Sequence, residues 1–454
     1  MLAGGRQGLA LAAAIFGMVV AAPSALAASE GGDLTQRCRG VNEVLRGPCR
    51  GTEQIVSSAV AECRNAGACA GPAVDAYERS WAHRALGLQY ELAADVPLRN
   101  APWVGTHNSF NSHAEMGPTL SDTDSNQQLS LVDQLRLDVR SLELDVHTFR
   151  NEPVVCHARG RDQGHAGCSI EKPLGAVLGE IAGWLGDHGD QVLMLYLEDH
   201  NDDVAGHDAA ATAIEANLGD VLYRPPAPGC SDLPLDVTRE QILAAGKQVF
   251  IVSGCGEGAA WQRVAFDWSN HGEERPRGYT DFPACGTDFT RAFYDSQLVR
   301  YYEDSTGLTA GAATVGQATV DDGITPDTAA RFARCGVDLT GFDQLLPDDG
   351  RLPASVWSWA PDQPAAGDCA IARADGRWES RSCAERHPVA CREADGSWAV
   401  VGPAVPAAAA LRRCAGAEHS VPRTGYENSL LKAVGGGDAW LGIRRAGDDW
   451  VALD

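Results

Sequence analysis

Residues 96–346 alternate short apolar runs with longer amphipathic ones, and this alternation limits the possible folds more than any other feature. The apolar runs predict strands and the amphipathic runs predict helices. Such alternation is typical of an α/β fold with mostly parallel strands. The segment also has the length of one closed β/α barrel of the TIM type, for which about 250 residues is typical. An open doubly wound sheet is the alternative, but no GxGxxG turn follows the first predicted strand.

Six strands and three helices are the clearest elements of this segment. The predicted strands are Trp103–Thr106, Ser141–Val146, Val154–His157, Val192–Glu198, Gln248–Val252 and Val337–Phe342. The predicted helices include Gln128–Leu135, Leu174–Leu185 and Ala209–Leu218.

The first 27 residues have the pattern of an export signal. Arg6 is followed by an apolar stretch from Leu9 to Ala22, and Ala25 and Ala27 provide small residues for cleavage. The apolar stretch is short for a membrane span. We therefore expect a secreted protein, extracellular or periplasmic, without a stable membrane anchor.

The 14 cysteines agree with export, because disulfides form in oxidising compartments. Residues 28–95 contain four of them in short helix-like stretches, which predicts a small helical N-terminal segment. Residues 347–454 are rich in Trp, Gly, Pro and Cys, which predicts a β-rich accessory domain tied by disulfides. Cys156 and Cys168 are expected to pair, while the other pairings stay open.

The net charge of −24 restricts the partners of the chain. Nucleic acid is excluded as a partner, because its phosphates would repel an acidic surface. An anionic membrane would repel the chain for the same reason.

Six polar residues lie at the ends of four predicted strands and form the candidate site. They are His107, Asn108, Glu143, Asp145, His157 and Glu198. Because residues i and i+2 of a strand face the same side, Glu143 and Asp145 point together. A buried carboxylate pair is costly unless a cation compensates it. Three carboxylates and the Asn108 carbonyl make an all-oxygen set, which suits Ca²⁺ better than Zn²⁺.

Four stretches resemble the catalytic X region of the phosphatidylinositol-specific phospholipase C superfamily. They are WVGTHNSFNS, QQLSLVDQLRLDVRSLELDVHTF, EPVVCHA and VLMLYLEDHN, and GVDLTGFDQL is similar to the closing strand of that family. The resemblance implies a β/α barrel that cleaves a phosphodiester. Metal-free members have an arginine where this chain has Asp145, and here Asn108 follows the first histidine. Both features imply the calcium-dependent type, with Asn108, Glu143, Asp145 and Glu198 as ligands.

The resemblance implies general acid–base catalysis by His107 and His157, since histidine transfers protons near neutral pH. The attacking group would be a neighbouring hydroxyl of the substrate, which gives a cyclic phosphodiester. Which histidine acts as base stays open. Arg159 and Lys247 are further candidates to bind the phosphate. At Asp138 the family usually has glycine, and we expect this change to be neutral because Asp tolerates a left-handed backbone.

The C-terminal residues resemble two halves of a C-type lectin-like fold in reversed order. Residues 355–392 contain the pattern of the second half, including Gln363-Pro364, and residues 416–450 contain that of the first. The resemblance implies a glycan contact, although an accessory domain without sugar binding is the alternative.

Three functions remain open from the sequence. The first is cleavage of phosphatidylinositol or a related inositol phosphodiester. The second is glycerophosphodiester hydrolysis, which uses a similar barrel and releases a linear product. The third is a glycan-binding surface protein with an inactive barrel.

Overall fold

The structure is a computed structural model, and it describes residues 71–453 with several gaps. The gaps are residues 113, 115–125, 157–171, 202, 228, 269–271, 275–278, 286–299, 305, 312–313, 321–322 and 436. Residues from Pro72 to Asp454 form one compact unit. The predicted export signal, the N-terminal segment up to residue 70, His157, Arg159 and Cys168 lie outside the described residues.

Nine helices and twenty strands make up this unit in the described residues. The helices are α1 Pro72–Glu78, α2 Trp81–Leu92, α3 Leu131–Arg136, α4 Leu174–Asp187, α5 Val204–Leu218, α6 Arg239–Ala244, α7 Pro326–Cys335, α8 Arg351–Ser355 and α9 Gly425–Ala433. The first ten strands are β1 Trp103–Thr106, β2 Ser141–Phe149, β3 Glu152–Val155, β4 Lys172–Pro173, β5 Leu193–Asp199, β6 Leu222–Tyr223, β7 Val249–Ser253, β8 Phe266–Asp267, β9 Gly272–Glu274 and β10 Arg300–Glu303. The other ten are β11 Thr306–Gly311, β12 Thr314–Val320, β13 Leu339–Phe342, β14 Cys369–Ala372, β15 Trp378–Arg381, β16 His387–Arg392, β17 Trp398–Val405, β18 Glu418–His419, β19 Ala439–Ala446 and β20 Asp449–Ala452.

The largest sheet has the parallel pairing expected of an α/β fold. Its strands follow the order β6-β7-β5-β2-β1-β13-β10-β9, with β8 beside β7 and β3 beside β2. The last long parallel strand, β13, pairs with the first, β1, over four residues. Within the described residues the sheet remains open between β8 and β9, so the mixed α/β architecture is confirmed but barrel closure is not seen.

Strand β2 shows how the two faces of the sheet differ. Leu142, Leu144 and Val146 are fully buried in the main hydrophobic core together with apolar residues of α4 and α5. Glu143 and Asp145 alternate with them along the strand and therefore face the inside of the curved sheet. The inner face is filled below these carboxylates by a second apolar cluster, which includes Trp103, Met194, Phe250 and Leu339.

Strand β3 differs from the sequence prediction. Val154–His157 was expected to be one more parallel strand, but β3 covers Glu152–Val155 and pairs antiparallel with β2. The hairpin turn contains Arg150 and Asn151, both with positive φ. A two-residue turn of this type reverses the chain at once, which leaves no room for a crossover helix. The end of β3 therefore returns to the middle of β2, where the Cys156 N–H donates to the Asp145 carbonyl at 3.0 Å.

The C-terminal region is β-rich, as predicted, and contains two disulfides, Cys369–Cys383 and Cys391–Cys414. Its sheet follows the order β15-β14-β19-β16-β17. Strand β19 pairs with β14 and β16, so the two segments that were expected to be lectin-like contribute to one sheet. This region shares the main core with the parallel sheet. The Gln89 side chain of α2 accepts from the backbone N–H of Trp357 at 2.7 Å.

Among the described helices, none combines the length and the hydropathy needed to cross a membrane. Cys230–Cys255 and Cys285–Cys335 are two further disulfides of the unit. Cys156 is also disulfide-bonded.

Candidate active site

Five of the polar residues predicted as a site, His107, Asn108, Glu143, Asp145 and Glu198, lie where the parallel strands β1, β2, β5 and β13 end, here called the carboxyl edge. The register places Asp145 of β2 directly beside Glu198 of β5. Strand β1 reaches the same edge because Gly105 lets β13 approach closely. A Cβ at Gly105 would lie 2.7 Å from Leu339 Cδ1. His107 and Asn108 follow β1 at once, and Asn108 has a positive φ of 45°.

Asp145, Glu198 and His200 form a group with the geometry of a metal site. One ligand atom from each lies within 4.8 Å of the others. Asp145 is fully buried, and His200 Nε2 lies 3.3 Å from Glu198 Oε1. The backbone N–H of His200 donates to the Val146 carbonyl at 2.9 Å. This hydrogen bond holds His200 beside β2, although β5 ends at Asp199. The group therefore combines two carboxylates with one imidazole.

Glu143 of β2 is linked to Asn108, which lies in the turn after β1. Both are at least nine-tenths buried. The backbone N–H of Asn108 donates to Glu143 Oε2 at 3.2 Å, so the turn after β1 is fixed against the carboxylate of β2. Ser109 strengthens this link, because its backbone N–H donates to the Glu143 carbonyl at 2.9 Å.

The Asn108 amide lies between His107 and Asp145, and it fits the site in two orientations. In one, Nδ2 contacts His107 Nε2 at 3.0 Å and the amide oxygen faces Asp145. In the other, Nδ2 donates to the two Asp145 carboxylate oxygens at 2.7 and 3.1 Å. The second orientation satisfies both ends of the amide, whereas the first sets the oxygens of Asn108 and Asp145 against each other and is favoured only when a cation lies between them. The fit to a divalent cation therefore rests on the carboxylates of Asp145 and Glu198, and a bound cation would select the first orientation.

His107 forms a dyad with Asp343, which directly follows β13. His107 Nδ1 lies 3.1 Å from Asp343 Oδ1, and Asp343 is fully buried. Asn126 Nδ2 donates to the same carboxylate oxygen at 3.3 Å. Gln127 Nε2 donates to the backbone carbonyls of His107 and Phe342, both at 2.7 Å. The turn after β1 and the turn after β13 are thus held together by one amide side chain.

A buried ion pair lies behind this dyad. Asp304 Oδ2 lies 2.7 Å from Arg351 Nη1, and the backbone N–H of Asp343 donates to the same oxygen at 2.8 Å. Burial raises the pKa of Asp304 to about 7, although Arg351 favours the carboxylate and so lowers the pKa. Asp304 meets the His107–Asp343 dyad through the backbone N–H of Asp343.

Two residues of this edge were not predicted as site residues. Asp343 lies in GVDLTGFDQL, where its place just after an apolar strand is the signal that could have identified it. The second unpredicted residue is His200. It is two residues from Glu198, so the i, i+2 rule that selected Glu143 and Asp145 would also have selected it.

Lys247 is not brought to the site. It precedes β7, and its Nζ donates to the Asp220 carbonyl at 2.8 Å. Since β7 is parallel to β5, Lys247 lies at the opposite end of the sheet from Glu198. His157 and Arg159 lie outside the described residues, and Cys156, just before His157, contacts Asp145 through its backbone.

Gln363, which belongs to the pattern that predicted a lectin-like fold, makes contacts within the C-terminal region. Its Oε1 accepts from Ser380 Oγ at 3.0 Å and from the backbone N–H of Ser380 at 3.1 Å. In these contacts the amide oxygen orders the chain around Pro364 rather than facing solvent.

The sequence matches the family model described as the Rv2075c PI-PLC-like domain over residues 65–349. A similar curated protein is the uncharacterized protein Rv2075c of Mycobacterium tuberculosis (strain ATCC 25618 / H37Rv). It is 43% identical over 433 residues, which cover 87% of this chain and 88% of that protein. The PI-PLC X domain-containing protein At5g67130 of Arabidopsis thaliana is 29% identical over 108 residues, which cover 23% of this chain and 25% of that protein.

Among solved structures, similarity is found to the phosphatidylinositol-specific phospholipase C of Listeria monocytogenes. The TM-score is 0.40 at 14% identity, covering 57% of this chain and 94% of that one. A calcium-dependent phosphoinositol-specific phospholipase C from a Gram-negative Pseudomonas has a TM-score of 0.28 at 16% identity, covering 46% of this chain and 78% of that one. With TM-scores this low, these structures add nothing to the family assignment, which comes from the sequence matches.

Proposed function

Since the chain belongs to the family of the Rv2075c PI-PLC-like domain, we propose that it is a secreted, calcium-dependent phosphodiesterase that cleaves phosphatidylinositol or a related inositol phosphodiester. The observation that carries this proposal is the meeting of two groups at one edge of the sheet. One is the His107–Asp343 dyad, and the other is the group Asp145, Glu198 and His200. A proton-transfer group beside carboxylates that can bind a cation is suited to metal-assisted phosphodiester cleavage.

The ligands proposed for calcium are Asn108, Glu143, Asp145 and Glu198, as the family resemblance implies. The structure adds His200 to their surroundings, 3.3 Å from Glu198. Bound calcium would lower the pKa of the attacking hydroxyl and neutralise charge on the phosphoryl oxygens. The three carboxylates and one amide oxygen of this proposed set would supply the oxygen-rich coordination that calcium prefers.

His107 is proposed to remove the proton of the attacking hydroxyl. Asp343 lies at Nδ1, so the Nδ1–H bond is directed toward the carboxylate and Nε2 is the basic nitrogen. Nε2 faces the Asn108 amide at 3.0 Å, on the side of the cation group. A hydroxyl bound there would be near both the base and the cation. His157 is proposed to protonate the leaving group, and Arg159 to contact the phosphate.

Secretion is supported by the disulfides, since four pairs are found in the described residues. The acidic surface makes soluble or glycan-linked inositol phosphates substrates as suitable as bulk lipid. Closure of the sheet into a TIM-type barrel, a boundary near residue 347 and a glycan contact by the C-terminal region remain proposals.

Phosphorus NMR of the first product tests this function. The protein is incubated with phosphatidylinositol and, separately, with glycerophosphoinositol, each with calcium. We expect the resonance of a cyclic inositol phosphodiester to appear before any monoester. A linear monoester as the first product would replace this function with glycerophosphodiester hydrolysis. Lack of turnover on both substrates and on a generic phosphodiester would favour a binding protein with an inactive barrel.

A further inference from the structure

We propose that Arg351, acting through Asp304 and the backbone of Asp343, is a positioning residue that holds the Asp343 carboxylate against His107. This inference rests on the proposed catalytic role of His107. Arg351 belongs to α8, beyond the last parallel strand. Among the described residues, none of the hydrogen bonds of its side chain goes to His107. Its effect on the reaction would therefore pass entirely through the Asp343 turn.

Arg351 is one of the most buried cations of the described chain, with only 9% of its side chain exposed. Its guanidinium group binds on two sides. Nη1 donates to Asp304 Oδ2 at 2.7 Å. Nη2 donates to the Asp343 carbonyl at 2.8 Å and to the Gln344 carbonyl at 3.2 Å. Asp349 Oδ2 accepts from Nη2 at 2.6 Å and from Nε at 3.0 Å.

These contacts bind both backbone polar groups of Asp343. Its N–H donates to Asp304 Oδ2, and its C=O accepts from Arg351 Nη2. Because Asp304 and Arg351 also bind each other, the backbone on both sides of the Asp343 Cα is fixed by one ion pair. The next residue, Gln344, has a positive φ of 52°, and its N–H donates to the Asn126 carbonyl at 2.7 Å.

The arrangement leaves the Asp343 carboxylate to the site. Its Oδ1 lies beside His107 Nδ1 and accepts from Asn126 Nδ2. The hydrogen bond from Arg351 to Asp343 goes to the backbone carbonyl and not to this carboxylate. The positive charge of Arg351 is matched by Asp304 and Asp349. Arg351 is thus placed to orient Asp343 without competing with His107 for its carboxylate.

Arginine is required here because its planar fork reaches several acceptors at once, whereas lysine is a point charge on a flexible stem. In Arg351→Lys the charge beside Asp304 is kept and the simultaneous contact with the Asp343 carbonyl is lost. We expect kcat to fall about 10- to 100-fold, as a displacement of a catalytic group by about 1 Å can cause. KM should change less than about threefold, because Arg351 lies away from the substrate.

A double-mutant cycle between Arg351→Lys and Asp343→Asn separates a positioning role from a general structural one. If Arg351 acts through Asp343, the lysine substitution should have little further effect on kcat once Asp343 is changed. Asp304→Asn in the same cycle keeps the inference testable if Arg351→Lys does not fold. Arg334→Lys is the matched control, because Arg334 lies on α7 and forms an exposed ion pair with Asp281.

Three results would overturn the inference. They are wild-type kcat in folded Arg351→Lys, a loss of kcat that multiplies in full with that of Asp343→Asn, and an equal loss in Arg334→Lys. Failure of the proposed function would look different, since Asp343→Asn alone would then retain wild-type kcat, or the unchanged protein would show no turnover. Calcium binding by calorimetry should be the same in Arg351→Lys and the unchanged protein, because Arg351 touches none of the proposed ligands.

Discussion

The carboxyl edge of the parallel sheet and its opposite end, the amino edge, bury charge in different ways. At the amino edge the buried Arg239 lies over the Tyr90 ring at 3.4 Å, and its Nη2 donates to the Tyr90 carbonyl. Asp138 accepts from Tyr77 Oη at 2.6 Å there. At the carboxyl edge, by contrast, the carboxylates of Asp145 and Glu198 lie side by side.

This difference agrees with a stabilising role for the amino edge and with the catalytic role proposed for the carboxyl edge. Neutral aromatic and hydroxyl partners stabilise a buried charge without adding a like charge. Adjacent carboxylates repel each other until a cation binds. In β/α barrels the amino edge generally serves stability and the carboxyl edge serves catalysis, and the function proposed for this chain assumes the same division.

The comparison predicts the largest effect for Asp145→Asn. We expect activity to fall at least about 100-fold, because a central ligand loses its charge. The melting temperature of the calcium-free protein should be unchanged or higher, since the substitution relieves repulsion with Glu198. Activity assays and thermal unfolding in chelator measure both. Loss of stability together with retained activity would reverse the assignment of this edge.

Replacement of the proposed base, His107, and the proposed acid, His157, comes next. His107→Ala and His157→Ala should each lower kcat about 100-fold or more while the far-ultraviolet circular dichroism is retained, because each removes a proton-transfer group. His387→Ala, in the C-terminal sheet, serves as the control. Wild-type kcat in either active-site variant would remove that histidine from the mechanism.

At the amino edge the expected effect is on stability alone. Trp103 is 2% exposed and packs edge-to-face with Phe250 at 5.6 Å between ring centroids. Trp103→Ala should lower the free energy of unfolding by about 3–5 kcal/mol. The kcat of the folded fraction should remain within about twofold, because the substitution lies at the far end of the strands. A selective loss of kcat in a protein of unchanged stability would break the proposed division.

The smallest effect concerns pH and the His83–Asp138 pair. The hydrogen bond to Asp138 raises the pKa of His83 from its ordinary value of 6.5, while burial lowers it less. The folded protein therefore keeps a proton that the unfolded chain releases. Stability from this pair is present below pH 6.5 and is lost as the pH rises through the raised pKa.

Chemical unfolding at about pH 6 and about pH 8 measures this change. His83→Gln should reduce the loss of stability between the two pH values, and Asp138→Asn should do the same. An identical pH dependence in both variants and in the unchanged protein would show that the pair contributes nothing.

Asp138 was expected to be neutral in place of glycine. It has a φ of 63°, as expected, and its carboxylate also binds α1 and α2.

The sequence was sufficient for the features that depend on local pattern. The apolar runs predicted β1, β2, β5, β7 and β13, because buried parallel strands are continuously apolar. Period-two spacing placed Glu143 and Asp145 on the face opposite to Leu142 and Leu144. The α/β class and the β-rich C-terminal region followed from the same patterns.

Features that depend on distant contacts could not be read in this way. Strand β3 has the composition of a parallel strand, and only its two-residue turn makes it antiparallel. Asp343 is separated from His107 by more than 200 residues in the sequence. The two side chains meet only because β13 pairs with β1. Lys247 begins an apolar strand as an active-site lysine could, yet strand direction places it at the amino edge.

The most direct test of the central claim is turnover of phosphatidylinositol during removal and return of calcium, with calcium binding measured on the same sample. The account predicts loss of activity in excess chelator, full recovery on adding calcium, and calorimetric binding that disappears in Asp145→Asn. Full activity in excess chelator, or unchanged calcium binding by Asp145→Asn, would contradict it.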